Sequence, residues 1–285
     1  MKVGLIELEV DISQRTADDA GAAIRETLRA NPASRMTTAL AALDAARDEK
    51  CDLIVMPGYT VVSRHPPQEI IDRSQGCTIV FECLWPRRKD ADKRVDRPWW
   101  SFVAKNGRLI VAGARQWFSS SADVAPAGTL SPEANQLLRE LREATPRRWR
   151  VGGHKCTLLI CGEVNLARGS LVNGRRQCRL PKGAPVGTKR RVRGDGRVVI
   201  NPAHTWSTLT WMASKRAWLS EDGWTLHTAN THTSYLRKTV KAGVAQTVNG
   251  RAWSSAAAAW KNGVTHPLTL AAKTQDFSVH TLTIP

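Results

Sequence analysis

The stretch CTLLICGEVN, residues 156–165, decides how this 285-residue chain is read. Thr157, Leu158, Leu159 and Ile160 make an apolar run of strand length, and the run stops on Cys161-Gly162-Glu163. Two readings fit a thiol at that point. It is a plain buried cysteine, since free cysteine is among the most buried residue types, or it is a nucleophile held up on a strand-to-loop turn.

Strands and helices alternate on both sides of this stretch. KVGLIEL (2–8) and DLIVM (52–56) read as strands, and the all-apolar DLIVM suits a strand buried on both faces before Pro57-Gly58. TIVFECL (78–84), RLIVAGA (108–114), RVVIN (197–201), WTLHTAN (224–230), GVAQTVNGRAW (243–253) and FSVHTLTIP (277–285) add further strands, with 108–114 expected to be buried. Helical spacing marks 16–29, which ends at Asn31-Pro32, and 35–48, where Met36, Leu40, Leu43 and Ala46 recur and Ser34 is placed to cap. Residues 97–107 read as a helix stopped by Gly107. Residues 131–144 carry Ser131 as cap, Pro132 at the first helical position and Leu137, Leu138 and Leu141 on one face. A Trp-rich amphipathic helix spans 206–223. The pattern is α/β throughout, without linker or repeat, and predicts two packed sheets covered by helices in a single domain, 1–285.

Composition narrows the function classes. An apolar fraction of 42% and a charged fraction of 24% are those of an ordinary globular protein. No run reaches the roughly 18 apolar residues of a membrane helix, and MKVGLIELEVDIS does not read as a signal peptide, so the expected location is cytoplasmic, away from membranes. Six cysteines, Cys51, Cys77, Cys83, Cys156, Cys161 and Cys178, form no CxxC pair and meet no paired histidines. Free thiols are therefore expected, with neither a metal nor a cofactor.

A net charge of +17 attracts anions. Residues 168–197 hold ten Lys/Arg against one acid, Asp195, punctuated by Gly and Pro. This basic insertion reads as a loop or irregular hairpin overhanging Cys161. It is either a solvated insertion or a grip for an anionic or nucleic-acid partner, with Arg175, Arg176, Arg190 and Arg191 as candidate anion-binding residues. Arg87-Arg88-Lys89 with Lys93, Arg94 and Arg97 adds to the field. Of the eleven tryptophans, Trp99-Trp100, Trp206, Trp211 and Trp218 are expected in the core or an interface.

Taken in order, the motifs KVGLIEL, AALDAARDEKCDLIVMPG, SFVAKNGRLIVAGAR, VGGHKCTLLICGEVN, RVVINPAHTW and MASKRAWLSEDGWTLHTANTH resemble the nitrilase superfamily of carbon–nitrogen hydrolases over nearly the whole chain. The resemblance implies a four-layer αββα sandwich and a homodimer. It also implies a cysteine thiolate that attacks a small amide or nitrile, with a glutamate moving protons and a lysine stabilising the tetrahedral intermediate. Cys161 stands at the nucleophile's place, and Glu163 where an acid follows two residues on.

The chain departs from that pattern twice. Gly58 stands where the family glutamate follows Pro57, and the span expected to hold the lysine has none before Lys155. Arg147, Arg148 and Arg150 offer positive charge instead, although arginine is no plain substitute for lysine. The candidate replacement bases are Glu82, at the end of TIVFECL, and Glu163. Gly58, Tyr59, Asn201 and His204 are candidate pocket-lining residues, His204 being a structural histidine on the other reading. Two functions follow: a divergent amide- or nitrile-hydrolysing enzyme, or a catalytically reduced protein of the same fold that binds a ligand or an anionic partner.

Overall fold

The computed structural model describes residues 1–14, 20–84, 99–118, 121–125, 129–143, 147–172, 175–193, 196–204, 210–232, 236–241, 244–249 and 256–285. Two large mixed sheets organise them. The first runs in the spatial order Thr269–Lys273, Phe277–Thr283, Lys2–Val10, Leu53–Val55, Thr78–Leu84, Trp99–Lys105, Arg108–Ala114. The second runs Val264–His266, Ala258–Lys261, Trp224–Ala229, Val198–Ala203, His154–Leu158, Arg148–Val151.

Side-chain alternation along the strands builds the layers. Val3, Leu5, Leu53, Val55 and Val80 of the first sheet meet Leu158, Val198, Ile200 and Leu226 of the second in one buried cluster. Ile6, Leu8, Ile54 and Ile79 point the other way. They pack under the helix Pro32–Asp48, which contributes Ala39, Ala42, Leu43 and Ala46. The outer face of the second sheet is covered by Leu137, Leu138 and Leu141 of the helix Pro132–Glu143 and by Trp218 and Leu219 of the helix Thr210–Leu219. The result is the four-layer αββα arrangement, helix on sheet on sheet on helix. Each fully buried Leu, Ile or Val contributes about 1.5–3 kcal/mol, which is why the central strands are apolar on both faces.

Several elements differ from their sequence reading. Residues 97–107 are not a helix: Trp99–Lys105 is a strand that turns at Asn106-Gly107, with φ of 52° and 72°, and pairs back with Arg108–Ala114. Asn-Gly is a strong two-residue hairpin signal, because both central positions need positive φ. Arg108–Ala114 is the sheet edge and alternates between exposed and buried rather than being buried throughout. Trp100, expected in the core or an interface, is 37% exposed on that edge hairpin.

The helix predicted from 35 begins at Pro32 with Asn31 before it, so Ser34 lies inside the helix instead of capping it. Ser131 does cap, its Oγ accepting the Ala134 N–H at 3.1 Å. The strand of 156–161 begins earlier and stops sooner, at His154–Leu158. The basic insertion is largely regular: a hairpin of Arg168–Val172 with Arg175–Arg179, then the helix Thr188–Arg193. Val244–Asn249 forms a separate hairpin with Leu236–Lys241. The basic cluster at 87–97, the side chains of Trp99, Trp206 and Trp211, and those of Arg175 and Arg176 lie outside the described residues. Among the described residues no helix is long and apolar enough to cross a membrane, and no group of three His, Cys, Asp or Glu side chains is placed to hold a metal.

Glu7 ties the sheets together. Its Oε1 accepts the Ala256 and Ala257 N–H groups, both at 2.5 Å, and its Oε2 accepts the Ser278 hydroxyl at 2.8 Å. Burial alone would push its pKa up. The contact with His280, 3.4 Å away, the Ala257 N–H, the charge of His280 and the Ser278 hydroxyl outweigh burial and hold it down at about 2. A carboxylate depressed on folding contributes stability that is complete above its unfolded pKa and is lost as pH falls through its folded one. Glu7→Gln is therefore expected to be less stable than the parent near pH 7, by at most about 3 kcal/mol. The gap should narrow as pH falls from the ordinary carboxylate value of 4.5 towards 2. Urea unfolding at stepped pH measures it, and a gap independent of pH would show that Glu7 acts by packing alone.

Candidate functional site

The site forms where carboxyl ends of parallel strands from both sheets converge, the usual place for a site in an open α/β sheet. In the second sheet, Val198–Ala203 runs parallel to both His154–Leu158 and Trp224–Ala229. In the first, Leu53–Val55 runs parallel to Thr78–Leu84. The chain then leaves these strands at Cys161, His204, Asn230 and Gly58. The sheets are joined there by a hydrogen bond from Gly58 N–H to the Ala203 carbonyl at 2.9 Å.

Cys161 opens a 3-10 turn, Cys161–Leu166, immediately after the extended Ile160. Its φ is 44°, a left-handed conformation that costs a non-glycine residue about 1–3 kcal/mol and persists only where the surroundings enforce it. Two neighbours enforce it. Asn201 Nδ2 donates to the carbonyls of Leu159 at 2.7 Å and Cys161 at 3.1 Å. Glu163 accepts the Ile160 N–H at 2.8 Å and the Trp117 N–H at 2.8 Å. Glu163 in turn takes a two-pronged ion pair from the fully buried Arg147, at 2.7 and 3.1 Å, and Arg147 also meets Glu140 at 2.7 Å. Cys161 itself stays half-buried.

His204 follows the strand Val198–Ala203 and closes onto the thiol. Its charge, its ring and its backbone all act on the Cys161 thiol. Its Nε2 lies 2.8 Å from Glu82 Oε1. The ring stacks on Tyr59 at 3.8 Å and 6°. Glu82, fully buried, is fixed by the Tyr59 N–H on Oε1 at 2.8 Å and the Ser101 hydroxyl on Oε2 at 3.2 Å. Asn230 Nδ2 donates to the carbonyls of Gly58 at 2.7 Å and His204 at 2.8 Å, while the buried Arg35 donates to Asn230 Oδ1 and to the carbonyls of Tyr59 and Thr60. Thiol, imidazole and carboxylate thus line up as Cys161, His204, Glu82.

Gly58 is what admits this imidazole. A Cβ placed on Gly58 would stand 2.4 Å from His204 Cδ2 and 3.0 Å from the Ala203 carbonyl carbon and the His204 nitrogen. No real Cβ tolerates such an approach with backbone on one side and a stacked ring on the other. A glutamate at 58 and a histidine in the observed pose of His204 exclude one another.

The electrostatics follow from the line-up. Burial would raise the Cys161 pKa, but the His204 charge and its two hydrogen bonds outweigh burial and lower it. Burial would lower the His204 pKa, but Glu82, Tyr59 and Cys161 together hold it well above the ordinary 6.5. Both shifts run towards thiolate and imidazolium. Cys83 and Cys156, by contrast, are raised by burial, Cys156 to about 12. Arg216, fully buried beside Asn201, is lowered by burial to about 10, and the Cys161 charge acts on it in the opposite sense. His227, buried near Arg216 and 2.9 Å from the Asn201 carbonyl, is held well below 6.5 by burial and by that cation.

Of the sequence candidates, Cys161, His204, Tyr59, Gly58 and Glu82 come together. Glu82 reaches the thiol through His204 and not directly. Two other candidates are tied into the framework of the turn. Glu163 is committed to Arg147 and two backbone N–H groups, so its carboxylate braces the turn and is not a spare base. Asn201 is fully buried and pins the Cys161 turn from behind instead of lining an opening. Lys155 sits at the far edge of the second sheet with Arg148 and Arg150, so the expected lysine has no stand-in there, and Arg147 is occupied by its two glutamates. Of the proposed anion-binding residues, Arg190 and Arg191 lie on the short helix of the insertion. Sequence reasoning missed that His204 lies between Glu82 and the Cys161 thiol. The signal was the simultaneous presence of Gly58 and a histidine directly after Asn-Pro-Ala.

No family model matches the chain, and no curated protein matches it. Among solved structures it is similar to a glutamine-dependent NAD+ synthetase from Acinetobacter baumannii, at 10% identity and a TM-score of 0.47 over 99% of this chain, which spans 46% of the synthetase. It is also similar to an amidase from Nesterenkonia sp. AN1, at 13% identity and a TM-score of 0.48, covering 99% of this chain and 90% of the amidase. A CN-hydrolase superfamily protein from Xanthomonas campestris is similar at 11% identity and a TM-score of 0.47, covering 99% of this chain and 91% of that one.

Two substitutions test the geometry. Gly58→Ala should displace His204 and slow iodoacetamide alkylation of Cys161 at pH 6–7, where an ordinary thiol of pKa about 8.5 is mostly protonated. Alkylation by mass spectrometry at that cysteine reads the effect, and an unchanged rate would mean the imidazole does not activate the thiol. Glu163→Ala should leave the buried Arg147 with Glu140 as its one remaining carboxylate and the Ile160 and Trp117 N–H groups without their acceptor, and cost about 3–5 kcal/mol of unfolding free energy in urea titration.

Proposed function

We propose that the chain is a carbon–nitrogen hydrolase acting on a small amide or nitrile through the Cys161 thiolate, with His204 in place of the usual glutamate as proton carrier. The observation that carries this reading is the pairing of His204 with both Cys161 and Glu82, around a thiol held at positive φ. On an amide, the thiolate attacks the carbonyl carbon and forms a C–S bond. The His204 imidazolium gives its proton to the departing nitrogen as the C–N bond breaks, leaving a thioester and a neutral imidazole. Neutral His204 then takes a proton from water, the hydroxide attacks the thioester, and the C–S bond breaks to release the acid and restore the thiolate. Glu82 orients the ring and stabilises its charged form in both halves, the role an acid plays beside histidine in other nucleophile–base–acid sets.

A second reading, a catalytically reduced binding protein, draws on the absence of a lysine from the span where one is expected. In the hydrolase reading the buried cation whose charge bears on Cys161, besides His204, is Arg216.

Hydrolysis of a panel of short aliphatic amides and nitriles, followed by ammonia release, separates the two. Cys161→Ala should abolish turnover, and His204→Ala should lower kcat by about 10²–10⁴-fold. Glu82→Gln should lower kcat less and shift the acid limb of the pH–rate profile. Ammonia release that survives Cys161→Ala would sink the proposed mechanism, and the absence of any turnover together with ligand binding unaffected by Cys161→Ala would favour the binding protein.

A further inference from the structure

Two buried arginines reach the site from the two outer layers, and each is bonded to an asparagine. Arg35, on the helix Pro32–Asp48 over the first sheet, donates to Asn230 Oδ1. Arg216, on the helix Thr210–Leu219 over the second, donates from Nε to Asn201 Oδ1 at 3.2 Å. Arg35 is 5% exposed and Arg216 1%, and both asparagines are fully buried.

The two couples are wired alike. In each, the amide Nδ2 donates to two backbone carbonyls: those of Gly58 at 2.7 Å and His204 at 2.8 Å for Asn230, and those of Leu159 at 2.7 Å and Cys161 at 3.1 Å for Asn201. Arginine carries donors and no acceptor, so only the amide oxygen can face it, and the amide nitrogen is left for the carbonyls. His227 reinforces the second couple. Its Nδ1 lies 3.0 Å from Asn201 Oδ1 and 2.9 Å from the Asn201 carbonyl, two acceptors, and so carries its hydrogen there. A cation on the amide oxygen polarises the group and strengthens its N–H donors.

Keeping a guanidinium in the interior costs free energy that a neutral side chain of similar shape would not. Burial lowers Arg35 to about 9 and Arg216 to about 10. Arg35 also donates to the carbonyls of Thr60 at 2.9 Å and Tyr59 at 3.1 Å, so these acceptors, like the Asn230 oxygen, are neutral. The grips connect along the chain. Asn201 lies on the strand Val198–Ala203, which leads into His204, and Asn230 follows its neighbour Trp224–Ala229. Cys161 is held to Asn201, His204 to Asn230, and Asn230 to Gly58.

We propose that Arg35 and Arg216 are positioning residues: each orients one asparagine, and the two asparagines together set the His204 imidazole against the Cys161 thiol. The proposal rests on the reading of His204 as the group that activates the thiol. A misplacement of about 1 Å in such a pair costs about 10²-fold in rate, so loss of either couple should be felt at the sulfur, although neither arginine takes part in the reaction.

Iodoacetamide alkylation of Cys161, read by mass spectrometry across a pH series beside urea unfolding, tests this. Arg35→Met and Arg216→Met keep much of the bulk and remove charge and donors. Each should slow alkylation at neutral pH by about tenfold or more and move its pH midpoint up towards the ordinary thiol value of about 8.5. Arg35→Lys and Arg216→Lys keep a cationic donor and should recover most of the rate. Asn230→Asp and Asn201→Asp separate orientation from charge burial. Each offers its arginine an ion pair but removes both N–H donors, and should slow alkylation as much as the Met variants do. These two carry the test should the Met variants fail to fold. The buried Cys83 and Cys156 report on the fold and should stay unlabelled throughout. An ordinary rate in the unsubstituted chain would remove the His204 reading itself. A fast rate there that persists in the folded variants would overturn the present proposal alone. So would labelling of Cys161, Cys83 and Cys156 that rises together, which would show that the arginines serve the fold and not the thiol.

Discussion

Everything at the centre of this protein depends on one close approach: the backbone of Gly58, leaving the first sheet, against the backbone of Ala203 and the ring of His204, leaving the second. The Gly58 N–H to Ala203 carbonyl bond spans the two sheets, and the missing side chain leaves the space the imidazole fills. Once the ring is there, Tyr59 stacks on it, and Glu82 accepts from it and from the Tyr59 N–H. The thiol then meets a histidine whose charge is stabilised from behind.

The buried polar groups around this approach are joined in linked sets. Arg35 and Asn230 hold the backbone of Gly58, Tyr59, Thr60 and His204, while Asn201 and the Arg147–Glu163 pair hold the turn at Cys161. Such sets contribute little net stability, because desolvating the charges costs nearly as much as pairing them returns. Their consequence is geometric. They fix carbonyls and N–H groups on strand ends that hydrophobic packing alone would leave with several acceptable arrangements. A thiol at φ of 44° is maintained by that fixing.

Much of the fold was legible in the residues, and the reasons differ from element to element. Leu53–Val55 and most of Thr78–Leu84 announce themselves because strands covered on both faces are largely apolar. The helix Pro132–Glu143 shows its cap, its leading proline and its leucine face. The hairpin at Asn106-Gly107 reads as a helix ending in glycine, since aromatic and alanine residues in Trp99–Lys105 suit either structure and only the Asn-Gly turn separates them. The strands Ala258–Lys261 and Thr269–Lys273 left no usable signal, being short, alanine-containing segments; Ala258–Lys261 also pairs with Trp224–Ala229, well back along the chain.

The sequence by itself determined the alternation of strands and helices, the αββα layering through its two-sided apolar strands, and the cysteine at a strand's end. The tertiary structure alone decided which carboxylate and which histidine lie near that cysteine. Glu82 precedes Cys161 by 79 residues and His204 follows it by 43, and local periodicity carries no information about which strand ends meet across two sheets. The physical reason is that a strand's pattern encodes which face is buried, whereas the meeting of Gly58 with His204 is set by the packing distance between sheets and by buried hydrogen bonds between segments the pattern treats as independent.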